Sequence, residues 1–126
     1  MLIYRVETKF SVIEAGQNFG PYSLYPDPQL LQAVGIIWSE YPFDHDSLKH
    51  PEPEDDGIEP FILGKMQCAF ECLASLHAWF GEARKALVLG GFYIALYDVP
   101  QEDIFLGYKQ LAYYPDRAVL VACEFF

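Results

Sequence analysis

The sequence predicts an α+β (mixed α/β) domain: a single sheet of about four to five strands with two to three helices. Three observations support this. The N-terminus alternates like a strand, the middle carries apolar residues at helical spacing, and the last third shifts to strand-like patterning. The chain has 126 residues, which fits one domain over 1–126. A chain of this length buries roughly two-thirds of its unfolded surface and needs no staples to hold a core. Its apolar fraction is 52%, with ten Phe, nine Tyr and two Trp, which is too hydrophobic for a disordered protein.

The elements follow in order. Leu2 to Lys9 reads as the first strand, with Ile3, Arg5 and Glu7 on one face and Leu2, Tyr4 and Val6 on the other. Glu14 to Tyr25 holds Gly16, Gly20 and Pro21 and reads as a loop. Asp27-Pro28 resembles an N-cap followed by proline at the first helical position, and Leu30, Leu31, Val34, Ile37 and Trp38 predict a helix over 28–39. Gly35 weakens that helix by about 1 kcal/mol relative to Ala. A proline-rich acidic loop follows at about 41–62, with Phe43, Leu48, Ile58, Phe61, Ile62 and Leu63 as apolar anchors.

A second helix is predicted from Cys72 to Phe80, with Leu73, Leu76, His77 and Phe80 on one face. Glu82 to Leu89 continues it or forms a short third helix, and Gly90-Gly91 supplies a C-cap. Phe92 to Val99 is an apolar, aromatic run that reads as a buried strand ended by Pro100. Ile104–Tyr108, Gln110–Tyr114 and Ala118–Phe126 are further strands, with a turn at Pro115-Asp116.

The net charge is concentrated in one segment. Glu40 to Glu59 holds eight carboxylates against Lys49, so it supplies most of the net charge of −10. The eight basic residues of the chain are scattered, which excludes direct binding to nucleic acid or to an anionic membrane. No apolar run reaches the roughly 18–20 residues of a membrane span. The segment MLIYRVETKF lacks the basic and apolar regions of a signal peptide. Three cysteines, an odd count, suit reduced thiols in a cytoplasm.

A basic protein surface is the partner this field attracts. The expected contact residues are Asp44, Asp46, Glu52, Glu54, Asp55, Asp56 and Glu59, with Trp38, Tyr41 and Phe43 as aromatic anchors. Adjacent exposed carboxylates in water catalyse little, so Glu54, Asp55 and Asp56 read as a solvated acidic surface and no catalytic residue is assigned. Such a surface imitates a phosphate backbone, so a nucleic-acid-binding protein is one partner class. Asp44-His45-Asp46 with His50 offers metal-ligand types without converging spacing, and no metal site is assigned. His77 reads as a core-edge histidine. Arg5 has two readings: a fork for an anionic ligand, or an exposed-face arginine paired with Glu7 or a neighbouring strand. The aromatic end at Phe125 and Phe126 adds a homodimer as a further expectation.

Several strings together resemble a group of small phage and prophage proteins: IYRVE (3–7), GPY (20–22), HPEPEDDG (50–57), CAFECL with HAWF (68–80), GFYIALYDVP (91–100) and GYKQLAY (107–113). That resemblance implies an accessory protein in the cytoplasm of a bacterial host, acting by binding and blocking a host defence or regulatory protein. A second likeness is to the ADP-ribosyltransferase fold. It implies a nucleotide site for NAD built from Arg5, Tyr22, Cys72 and Gln110. Gln110 stands where that family has a glutamate, and an amide cannot supply the negative charge that stabilises the developing cation on the ribose. The implied site is therefore degenerate.

Overall fold

A computed structural model describes residues 1–7, 53–59, 61–62, 65–81, 84–89 and 91–125. The helix predicted over 28–39, the loop at 14–25 and the acidic segment before residue 53 lie outside the described residues. The rest is mixed α+β. In chain order it runs β1 (Leu2–Glu7), β2 (Gln67–Ala69), α1 (Leu73–Phe80), α2 (Arg84–Leu89), β3 (Tyr93–Asp98), β4 (Ile104–Leu106), β5 (Leu111–Tyr113) and β6 (Val119–Glu124).

The strands form two three-stranded sheets rather than the single sheet expected, in the orders β1-β3-β6 and β2-β5-β4. All pairings are antiparallel. One bridge links the sheets: Tyr4 and Phe70 exchange backbone hydrogen bonds, each 2.8 Å. The number of strands was underestimated because β2 is only three residues long. A strand of that length shows no period, and its partner β5 lies more than forty residues away in sequence.

The predicted period of the last third is otherwise matched by β3, β4, β5 and β6. Pro115–Arg117 forms a 3-10 turn where the Pro-Asp turn was expected. The C-cap falls on Gly91, whose φ is +77°. The Gly91 N–H donates to the Val88 carbonyl and the Phe92 N–H to the Leu87 carbonyl, at 3.1 and 2.9 Å. This pair of bonds closes the helix in the Schellman manner.

Each face of the β1 sheet has its own core. Val6 and Ile94 on one face pack with Phe70, Leu76, Trp79, Phe80, Leu87 and Phe92 from the helices and connections. Phe70 meets Trp79 and Phe80 edge-on, with ring centroids 5.5 and 5.7 Å apart. His77 is exposed and so departs from the core-edge placement. The buried positions of α1 are Leu76, Trp79 and Phe80, and residue 77 rotates past the edge of that stripe. On the opposite face Ile3 packs with Ala69, Val99, Leu111 and Tyr113. A third cluster (Ile58, Met66 and Ala112) fastens the end of the acidic loop to the outer face of the second sheet. The apolar anchors Ile58 and Phe61 therefore hold this part of the loop against the body, as the sequence suggests.

Candidate functional site

The described part of the acidic loop is a short turn. The Ile58 N–H donates to the Pro53 carbonyl at 2.8 Å and the Gly57 N–H to the Glu54 carbonyl at 3.3 Å. Gly57 has φ of +85°, a conformation that side chains with a Cβ rarely adopt. The turn is anchored by Asp56, which is 2% exposed. The Lys109 N–H donates to both Asp56 carboxylate oxygens at 3.0 Å, and the Gln110 N–H donates to Oδ2 at 2.9 Å. The Tyr108 N–H donates to the Asp56 carbonyl at 3.0 Å. One carboxylate thus organises the whole β4–β5 connection.

Asp56 corrects the reading of a uniformly solvated acidic surface. Its charge faces a cluster of backbone N–H groups, whose partial positive charges replace water. Its neighbours Glu54, Asp55 and Glu59 are exposed. Burial of one acid therefore fixes the presentation of three others. Gly107 is required at this junction. A Cβ there would lie 2.5 Å from Asp56 Oδ2 and 2.7 Å from the carbonyls of Asp56 and Gln110. The other expected contact residues (Trp38, Tyr41, Phe43, Asp44, Asp46 and Glu52) lie outside the described residues. Tyr108, which sequence reasoning did not single out, is exposed and lies over Gly57 beside the acidic turn.

A second polar cluster sits in the β1 sheet. Arg5 and Glu7 are both buried, so the exposed-face reading of Arg5 needs correction, although its pairing with Glu7 is as expected. Arg5 Nε donates to Glu7 Oε2 at 3.3 Å, and Nη1 donates to the Cys68 carbonyl at 2.8 Å. Glu7 Oε1 accepts from the Tyr97 hydroxyl at 2.6 Å and the Tyr93 hydroxyl at 3.4 Å. Register explains the grouping, since Glu7 faces Tyr93 and Ile3 faces Tyr97 across the β1–β3 ladder, on the same face as Arg5. In the adjoining sheet the Tyr113 hydroxyl donates to Gln67 Oε1 at 2.9 Å.

The residues assigned to a nucleotide site are spread over different elements. Arg5 is on β1 and Gln110 precedes β5, where its backbone N–H is held by Asp56. Cys72 is exposed as the N-cap residue of α1, and Tyr22 lies outside the described residues. A small depression of about 20 Å³ is lined by Gln110 with Glu71, Ser75, Gly107, Tyr108 and Lys109, and Arg5 is not part of it. That volume holds about one water molecule. Among the described residues no group of three or more His, Cys, Asp or Glu is gathered for a metal ion.

Burial shifts several acidities. It pushes the Cys68 thiol up to about 11, with the Arg5 charge opposing. Cys72 is the contrary case: the Ser75 hydroxyl, 3.2 Å away, holds its thiol below the usual range. Cys72 is therefore expected to react with a thiol reagent near neutral pH well before Cys68, as mass spectrometry of partial labelling would show. Equal labelling of the two would contradict these environments.

Burial also raises Tyr113 from 10.0 to about 12, with Arg5 opposing and Glu7 adding. The folded protein favours the neutral phenol. This contribution to stability is complete below pH 10 and is lost as pH rises towards 12. Denaturant midpoints measured across that window should fall for the native protein and fall less steeply for Tyr113→Phe. Parallel slopes would place the effect elsewhere.

Architecture and site together define a small α+β protein with a clamped acidic turn. The family model described as bacteriophage T4 Y00F protein matches residues 1–126. The chain belongs to that phage protein family. No curated protein and no solved structure matches it. No helix among the described residues is long and apolar enough to cross a membrane.

Proposed function

We propose that the protein is a phage accessory factor that works in the cytoplasm of the bacterial host by binding a basic face of a host defence or regulatory protein. A nucleic-acid-binding protein, whose groove is built for phosphates, is the partner class that fits best. The observation that carries this reading is the anchoring of the acidic turn. Asp56 is clamped by the β4–β5 connection, while Glu54, Asp55 and Glu59 project from the same turn into solvent. A preorganised charge cluster loses less entropy on binding than a floppy one. Its field also speeds encounter with an opposite charge. Inhibition would follow from occupying the basic groove. No metal or cofactor enters this mechanism.

The experiment is capture from bacterial lysate at two ionic strengths, using the native protein and a Glu54→Gln, Asp55→Asn, Glu59→Gln variant with Asp56 left intact. The partner retained by the native protein should be weakened by salt. The variant should bind it several-fold less tightly and with a shallower salt dependence. A partner held equally by both proteins would refute the reading. The competing nucleotide reading takes NAD as ligand and leans on Arg5, whose fork is already engaged by Glu7 and the Cys68 carbonyl. A melting-point rise of several degrees at saturating NAD would favour it.

A further inference from the structure

Strand β6 is the edge of the first sheet, and among the described residues no strand pairs with its outer side. Val119, Leu120 and Val121 are 63, 48 and 55% exposed. Residues 119–123 (Val-Leu-Val-Ala-Cys) carry no charge and no proline, the two devices that most often protect an edge. A bulge opposite Leu96 and Tyr97 leaves Val121 as the extra residue. It divides the edge into regular stretches at Val119–Leu120 and Ala122–Glu124. Leu2 is also exposed, but Asp98 lies between it and Val119 in the ladder, so the apolar stretch is that of β6 itself.

The ends of this strand differ from its middle. At the N-terminal end stand exposed Asp116, Asp98 on the neighbouring strand, and Arg117 held by Glu102 and Asp103. Asp98 is itself paired with the Met1 amino group at 3.2 Å, so four carboxylates there stand against two cations. At the C-terminal end stands exposed Glu124. Both ends are therefore acidic, and a second copy would pair acid with acid in either strand direction. We propose that the β6 edge accepts an extended segment of a partner protein as an added strand, apolar in its middle and carrying Lys or Arg at both ends. Backbone bonds supply the attachment, apolar contacts with Val119, Leu120 and Val121 supply the burial, and the acidic ends set the register. The inference rests on the basic-partner reading for the sign of the charge but uses a surface separate from the acidic turn.

The test uses a synthetic peptide of alternating Val and Thr with two lysines at each end, titrated into isotopically labelled protein. Shifts and slowed exchange of the Val119–Glu124 amides are expected, with affinity falling as salt rises. Val119→Lys with Val121→Lys, both at exposed positions, should weaken binding by about tenfold or more. Glu54→Gln with Asp55→Asn should leave it unchanged. The proposal is overturned by no binding, by equal binding of a peptide ended with glutamates, or by a turn variant that alone loses the peptide. Concentration-dependent protection of the same amides without peptide would assign the edge to a second copy instead and overturn it as well. Equal capture by the native protein and the turn variant in the lysate experiment, with peptide binding intact, would remove the acidic-turn reading alone.

Discussion

Asp56→Ala is expected to destabilise the protein by about 2–4 kcal/mol. It removes the acceptor of the Lys109 and Gln110 N–H groups, and each buried donor deprived of its partner costs roughly 1–3 kcal/mol. Water can reach the Lys109 side of the turn more readily than the Gln110 side, so the upper end of the simple sum is not reached. Asp56→Asn keeps one acceptor oxygen but turns an amide NH₂ toward backbone donors, and it should lose most of the same stability. Glu54→Ala and Asp55→Ala, two and one residues away, are exposed and should change stability by no more than about 0.5 kcal/mol. Gly107→Ala should resemble Asp56→Ala, because its added methyl group would displace the carboxylate and two carbonyls. Urea denaturation of the four single-site classes decides the matter. Equal stability of Asp56→Ala and Asp55→Ala would show that the clamp does not hold in solution.

That contrast marks where sequence reading stops. Residues 54–56 are three consecutive acids, and nothing local distinguishes the middle of the turn from its end. The distinction is made by backbone N–H groups more than fifty residues away, and only folding brings them near. Gly57 is a weak local signal, since an acid before a glycine often belongs to a tight turn. The regular elements were more legible because their evidence is periodic. Tyr93–Asp98 and the helix bearing Leu76 and Phe80 follow directly from apolar spacing, although that spacing put His77 on the face where Trp79 is buried. The sheet boundary was not legible, because it depends on a single bridge between Tyr4 and Phe70. Arg5 is intermediate. Its pairing with Glu7, two residues along the same strand face, is readable from the sequence, but its burial depends on Cys68 and on the tyrosines of β3.

The same dependence on distant partners makes Arg5 and Glu7 the most sensitive positions of the sheet. Glu7 is 1% exposed, and its two oxygens accept from Arg5 and from the hydroxyls of Tyr97 and Tyr93. Arg5→Ala takes the guanidinium away from that buried carboxylate. Glu7→Ala leaves a guanidinium beside a single carbonyl. Each change is expected to cost about 3–5 kcal/mol, the range for breaking one side of a buried ion pair. The double replacement Arg5→Met, Glu7→Leu removes both charges together and should cost far less than the sum of the single changes. Part of the remaining penalty should come from loss of the Glu7 oxygen that accepts from the Tyr97 and Tyr93 hydroxyls, and adding Tyr97→Phe should recover some of it. A double-mutant cycle in urea measures this coupling directly. Single changes below about 1 kcal/mol, with additive behaviour in the double, would mean that water already solvates the pair and that the cluster is not a dry element of the core.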